Sequence, residues 1–206
     1  MRPWLYFGVV AASCLFVACN ERLNAASADK PVVDTTHAPA TMIDSALPMA
    51  VLIDRFRRDL PRVDSLRGGA TSRDELVKRV VAAMASNDTA ALTHVTVSLG
   101  EYAWLYFPTT KVAQPPYEVP PGLAWFQVQE KNRRGALRAF RELGGHRITM
   151  KGYRCDESPT VEAQNRLWTG CAVSISRDGK AVELKLFGAI LERDGRFEVL
   201  SYQNAF

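Results

Sequence analysis

The residues with chemistry to offer in this sequence are two cysteines, two histidines and a set of aromatic rings. Cys155 and Cys171 have fifteen residues between them. Such a pair forms a disulfide, stays as two buried thiols, or supplies part of a metal site. Zinc needs further ligands, and no histidine lies near either cysteine in sequence, so the metal reading is the weakest of the three. His94 and Glu101 are close enough in sequence for an imidazole and a carboxylate to face one cavity, as general acid–base catalysis requires. The competing reading makes both of them surface or cap residues. The rings are Tyr102, Trp104, Tyr106, Phe107, Tyr117, Trp125, Phe126 and Trp168. Aromatic rings with polar tips suit a ligand pocket or a protein groove, and they suit a packed core equally well. Tyr102, Tyr106, Trp125, Phe126 and Trp168 are the candidate pocket residues. A Gly-rich phosphate loop, a His-Glu zinc motif and a nucleophile elbow are missing, which argues against phosphoryl transfer and zinc hydrolysis. No metal or cofactor is implied.

These residues must be positioned by helices first and strands afterwards. Residues 47–60 read as a helix with Leu52, Ile53, Phe56 and Leu60 on one face, and Pro61 ends it. A connector with Gly68-Gly69 follows. Ser72-Arg73-Asp74-Glu75 is a capping box that opens a helix with the stripe Leu76, Val77, Val80, Val81 and Met84. Asn87-Asp88-Thr89 breaks that helix and restarts it. A second box, Ser98 to Glu101, opens a short aromatic helix stopped by Pro108. Pro115 to Pro121 is expected to run extended and rigid. A long helix then reaches Leu143, capped by Gly144-Gly145, with Leu123, Phe126, Leu137, Phe140 and Leu143 as its buried face. Lys131, Arg133, Arg134, Arg138 and Arg141 make the rest of it basic. That basic face is a solvated surface or a contact for anionic lipid headgroups. From His146 the hydrophobic period changes to two. Strands are expected at 147–154, 167–176, 181–192 and 196–203, with Asp178-Gly179 and Asp194-Gly195 as hairpin turns. A hairpin folded near Ala163 would set Cys155 opposite Cys171.

The N-terminus carries its own signal. One charge, Arg2, precedes a run of fifteen mostly apolar residues, Trp4 to Ala18. A membrane span needs roughly 20 such residues, so the run fits a signal-peptide core. It stops at Phe16-Val17-Ala18-Cys19, which resembles the lipobox of bacterial lipoproteins. The resemblance implies cleavage before Cys19 and lipidation of its thiol. Phe16 stands where a leucine is usual, Cys14 is a second candidate, plain cleavage after Ala28 is a third option, and an uncleaved anchor is the last. The chain is then an exported, membrane-anchored protein facing the periplasm or cell exterior. Residues 1–18 are the signal, 19–41 the lipidated tether, 42–71 an accessory helix with connector, and 72–206 the main domain. Export to an oxidising compartment favours the disulfide between Cys155 and Cys171. The formal net charge of +4 is a mild excess and implies no nucleic-acid partner.

Helices followed by an antiparallel meander make an α+β pattern: N-terminal helices packed on one face of a curved sheet. The layout resembles the nuclear transport factor 2-like cone superfamily over roughly residues 72–206. The similarity lies in the broken helix pair "VVAAMASNDTAALTHVT" and the terminal hairpin "GAILERDGRFEVLSYQN". The resemblance implies a cone-like pocket between sheet and helices, holding a small apolar ligand or an acid–base pair. The leading expectation is an envelope lipoprotein that binds a small apolar ligand or an envelope protein. The alternative is an isomerase or dehydratase using a histidine and a carboxylate such as His94 and Glu101.

Overall fold

In the computed structural model, residues 47–203 are described, and all of them fall in one compact unit. The lipidation site Cys19, its competitor Cys14, the signal and the tether lie outside the described residues.

The helices start where capping chemistry directs. Helix α1 spans Met49–Arg57, α2 Arg73–Ala85 and α3 Thr89–His94. The Ser72 hydroxyl accepts the Glu75 N–H at 3.1 Å. Glu75 does not complete the box. Its carboxylate reaches one residue further, to the Thr71 N–H and hydroxyl. Asn87 adopts a positive φ of 56°, and Asp88 then caps α3 by accepting the Ala91 N–H. Helix α4 is a single turn, Leu99–Glu101, under a complete capping box. It widens into a π-helical turn, Tyr102–Tyr106, followed by 3-10 turns at Phe107–Thr109 and Lys111–Ala113.

The Pro-rich segment turns back instead of running extended. The Tyr117 and Glu118 N–H groups both donate to the Gln114 carbonyl, and the Val119 N–H returns to the Val112 carbonyl. Helix α5, Pro121–Leu143, follows.

Among the described residues seven strands follow: β1 Ile148–Arg154, β2 Thr160–Glu162, β3 Asn165–Trp168, β4 Ala172–Arg177, β5 Lys180–Leu184, β6 Phe187–Arg193 and β7 Arg196–Tyr202. They form two antiparallel sheets, ordered β1-β4-β5 and β2-β3-β6-β7. The long strands expected at 167–176 and 181–192 each break in the middle. Each break, at 169–171 and at 185–186, passes the chain from one sheet to the other. Both Asp-Gly turns hold positive φ at both central residues, as two-residue hairpins require. The Cys155–Cys171 disulfide is formed, with Sγ atoms 2.04 Å apart, and ties the end of β1 to the start of β4.

The expectation of helices on one face of the sheet needs correcting. The four-stranded sheet is packed on both faces over β3, β6 and β7, while β2 is largely exposed. Trp168, Ile190 and Val199 join a core built by α2, the end of α5 and the smaller sheet. Leu167, Leu191 and Leu200 join a second core with Val63, Leu66, Tyr102, Leu105 and Phe107, against which Ile53 and Phe56 of α1 pack. Adjacent apolar residues such as Ile190-Leu191 and Val199-Leu200 are the signature of a strand covered on both sides.

The buried face of α5 also needs correcting. Leu143 is buried and Phe140 partly so, but Leu123, Phe126 and Leu137 are 50%, 60% and 46% exposed. The face turned inward is Ala124, Asn132, Gly135, Ala139 and Leu143. Gly135 shows why. A Cβ there would sit 2.6 Å from the Tyr202 Cβ, so only a small-residue face lets α5 approach β7 this closely.

This approach also closes the outer edge of β7. The Phe197 and Ala70 backbones exchange two hydrogen bonds, and Val199 pairs with Val95 and Val97. Asn132 finishes the edge: its amide donates to the Leu200 carbonyl at 3.2 Å and accepts the Tyr202 N–H at 3.0 Å. An open edge is a template for unwanted pairing, and here it is covered.

Candidate functional site

A cavity of about 260 Å³ lies between the π turn, α5 and one face of the four-stranded sheet. Its floor is Leu167, Ala189 and Leu200, and its walls include Tyr102, Tyr106, Val119 and Val128. It is at the small end for a ligand site, with room for a short chain or a single ring system. Gln127, Lys131 and Ser201 are the polar groups on its lining besides the two phenols.

The π turn sets the two tyrosines. The Phe107 N–H reaches back five residues to the Tyr102 carbonyl. Such turns are rare and recur at functional sites. Here the wide turn keeps the Tyr102 and Tyr106 rings together, their centroids 5.6 Å apart. The turn is latched from the sheet. Buried Asn165 donates to the Leu105 carbonyl at 2.9 Å and to the Thr109 hydroxyl, and Arg193 donates to the same carbonyl at 3.3 Å.

Burial holds both phenols above their ordinary pKa, and Glu162 and Tyr102 push Tyr106 further the same way. Both therefore stay neutral donors. Neither hydroxyl has a hydrogen-bond partner among the described residues. The pocket thus offers apolar walls and two unused polar tips.

The other predicted pocket residues do not converge on this cavity. Trp125 packs on Tyr102, with centroids 4.9 Å apart, but lines a different hollow of about 420 Å³ beside Thr96, Gln129 and Tyr202. Phe126 is on the outer face of α5. Trp168 lies under the Arg73 guanidinium, 3.8 Å from ring centroid to Cζ, and donates its indole N–H to Glu192. Both of its polar contacts are structural. The larger hollow is the weaker candidate because its polar groups are already engaged: Tyr202 bonds Thr96, Asn132 closes the β7 edge, and Glu130 pairs with Arg133.

His94 and Glu101 are not brought together. The His94 side chain is exposed and lines a surface hollow with Arg79 and Asp88, where Asp88 is engaged as the α3 cap. Glu101 is buried, and its carboxylate accepts from the Ser98 N–H and hydroxyl and from the Arg67 N–H. The other folded histidine, His146, has Nδ1 2.6 Å from an Asp178 carboxylate oxygen on the exposed β4–β5 turn.

One acid escaped the sequence reading. Glu198 on β7 is fully buried beside Glu101. Its Oε1 accepts the Gly68 N–H at 2.9 Å, and its Oε2 meets no donor. Burial first, and then the negative charge of Glu101, push its pKa up to about 8. The available signal was a single acidic residue inside the apolar run Phe197 to Leu200. No group of three His, Cys, Asp or Glu side chains that would hold a metal occurs among the described residues.

No protein-family model, curated protein or solved structure matches the chain.

Proposed function

We propose that this chain is an exported lipoprotein whose cone-like domain binds a small apolar ligand in the Tyr102–Tyr106 cavity. One observation carries the reading: two neutral tyrosines whose hydroxyls bond no described residue line a cavity whose floor and walls are otherwise mostly apolar. A ligand that brings one acceptor and an apolar body satisfies both. The lipobox-like Phe16-Val17-Ala18-Cys19 and the disulfide are consistent with an envelope location. The isomerase or dehydratase alternative gains less support, because among the described residues neither an imidazole nor a carboxylate lines this cavity.

Filling the cavity tests the proposal. Ala189→Phe fills it from the sheet, and Val128→Phe from α5. Each should abolish binding of an apolar probe while circular dichroism shows the fold retained. Probe binding that survives both substitutions contradicts the proposal.

A further inference from the structure

The mouth of the cavity carries information about the ligand's head. Apart from the neutral phenols, Lys131 is the only ionisable residue on the lining among the described residues. It is exposed and forms no ion pair with a described residue. The acid next to it, Glu130, is taken by Arg133 at 3.0 Å and Arg134 at 3.5 Å. Gln127 and Lys131 also line an adjoining hollow with Phe126, Glu130 and Arg134. The mouth therefore opens onto the outer face of α5, where Phe126 and Leu123 stand exposed. An apolar interior, neutral donors along the wall and one unspent cation at the mouth match a particular shape of molecule. Resting on the reading above, we infer that the ligand is a short single-chain amphiphile with an anionic head, its chain against Tyr102 and Tyr106 and its head at Lys131.

A neutral apolar compound would use the walls and leave Lys131 idle. An anionic head adds a charge pair at an exposed position. Such pairs are weak, so the expected gain is about three- to fivefold in affinity, screened by salt.

The experiment titrates the full-length protein with 1-octanol, octanoate and octyl phosphate by calorimetry, at low and at high salt. The inference expects saturable binding of all three. At least one anion should bind several-fold tighter than the alcohol, and the better one names the head group. Lys131→Met should remove that advantage, as should high salt. Lys131 is exposed, so the variant is expected to keep its melting temperature. If 1-octanol binds and neither anion binds tighter, or if Lys131→Met leaves the anion advantage in place, the inference is overturned and the apolar-ligand reading stands. If none of the three binds, the apolar-ligand reading itself fails.

Discussion

The buried carboxyls of Glu101 and Glu198 grip consecutive amides of the connector between α1 and α2, Glu101 taking the Arg67 N–H at 2.7 Å and Glu198 the Gly68 N–H at 2.9 Å. Arg196 and Arg79 add to the grip by donating to the Gly68 and Gly69 carbonyls. The connector has no regular structure of its own, so these contacts set its path. A Cβ on Gly68 would lie 2.2 Å from the His94 carbonyl oxygen, which is why a side chain is not tolerated there.

The first prediction concerns pH. Glu198 is raised from an ordinary 4.5 to about 8 by burial and by Glu101. Between those values the folded protein holds a proton that the unfolded chain has released. Stability is therefore greatest below the lower value, falls as pH rises through the window, and levels off above it, by on the order of a few kcal/mol in all. Glu198→Gln keeps the shape, stays neutral and can donate to Glu101. Urea unfolding from pH 5 to 9 should show a falling midpoint for the natural protein and a flatter one for the variant. Identical profiles for the two would contradict the account.

The second prediction concerns the β7 edge. Asn132→Leu leaves the Leu200 carbonyl and the Tyr202 N–H unpaired in a buried place. Each such group costs about 1–3 kcal/mol. Chemical denaturation should show a loss in that range or above it. A loss below about 0.5 kcal/mol would mean that Asn132 does not close the edge.

The third prediction separates the two faces of α5. Phe126→Ser on the exposed face should change stability by less than about 0.5 kcal/mol. Ala139→Leu on the fully buried face should cost about 1–3 kcal/mol through overpacking. Thermal melts of the two variants decide it, and the reverse ranking would place the helix the wrong way round.

The fourth prediction concerns the staple. Opening the Cys155–Cys171 bond frees a loop of 16 residues' separation. The cost expected from chain entropy is about 3 kcal/mol. Unfolding with and without reductant measures it, and no difference would show that the loop is held by its strand pairing alone.

Local chemistry was legible in the sequence and distant geometry was not. Ser72 and Ser98 mark helix starts, Asn87-Asp88 marks the break, and Asp178-Gly179 and Asp194-Gly195 mark the hairpins, because each acts on its own backbone. The β2–β3 turn at Ala163, with φ 54°, falls where the cysteine spacing requires it. The inward face of α5 was misread because size suggests Leu123, Phe126 and Leu137, while the approach to β7 is limited by Gly135. The aromatic cluster was half legible. Tyr102 and Tyr106 meet in the cavity, but Trp168 is drawn to Arg73, and Trp104 lies 4.4 Å under the Arg57 guanidinium. Cation–π partners so far apart in sequence leave no local pattern. Glu198 was missed for the same reason, since its partners Gly68 and Glu101 lie on other elements.

The most direct test of the central claim is a calorimetric titration of the full-length protein and its Ala189→Phe variant with 1-octanol. The account predicts saturable one-site binding to the natural protein, weakened by at least about tenfold in the variant. Equal binding by the two proteins, or no saturable binding by the natural one, would contradict it.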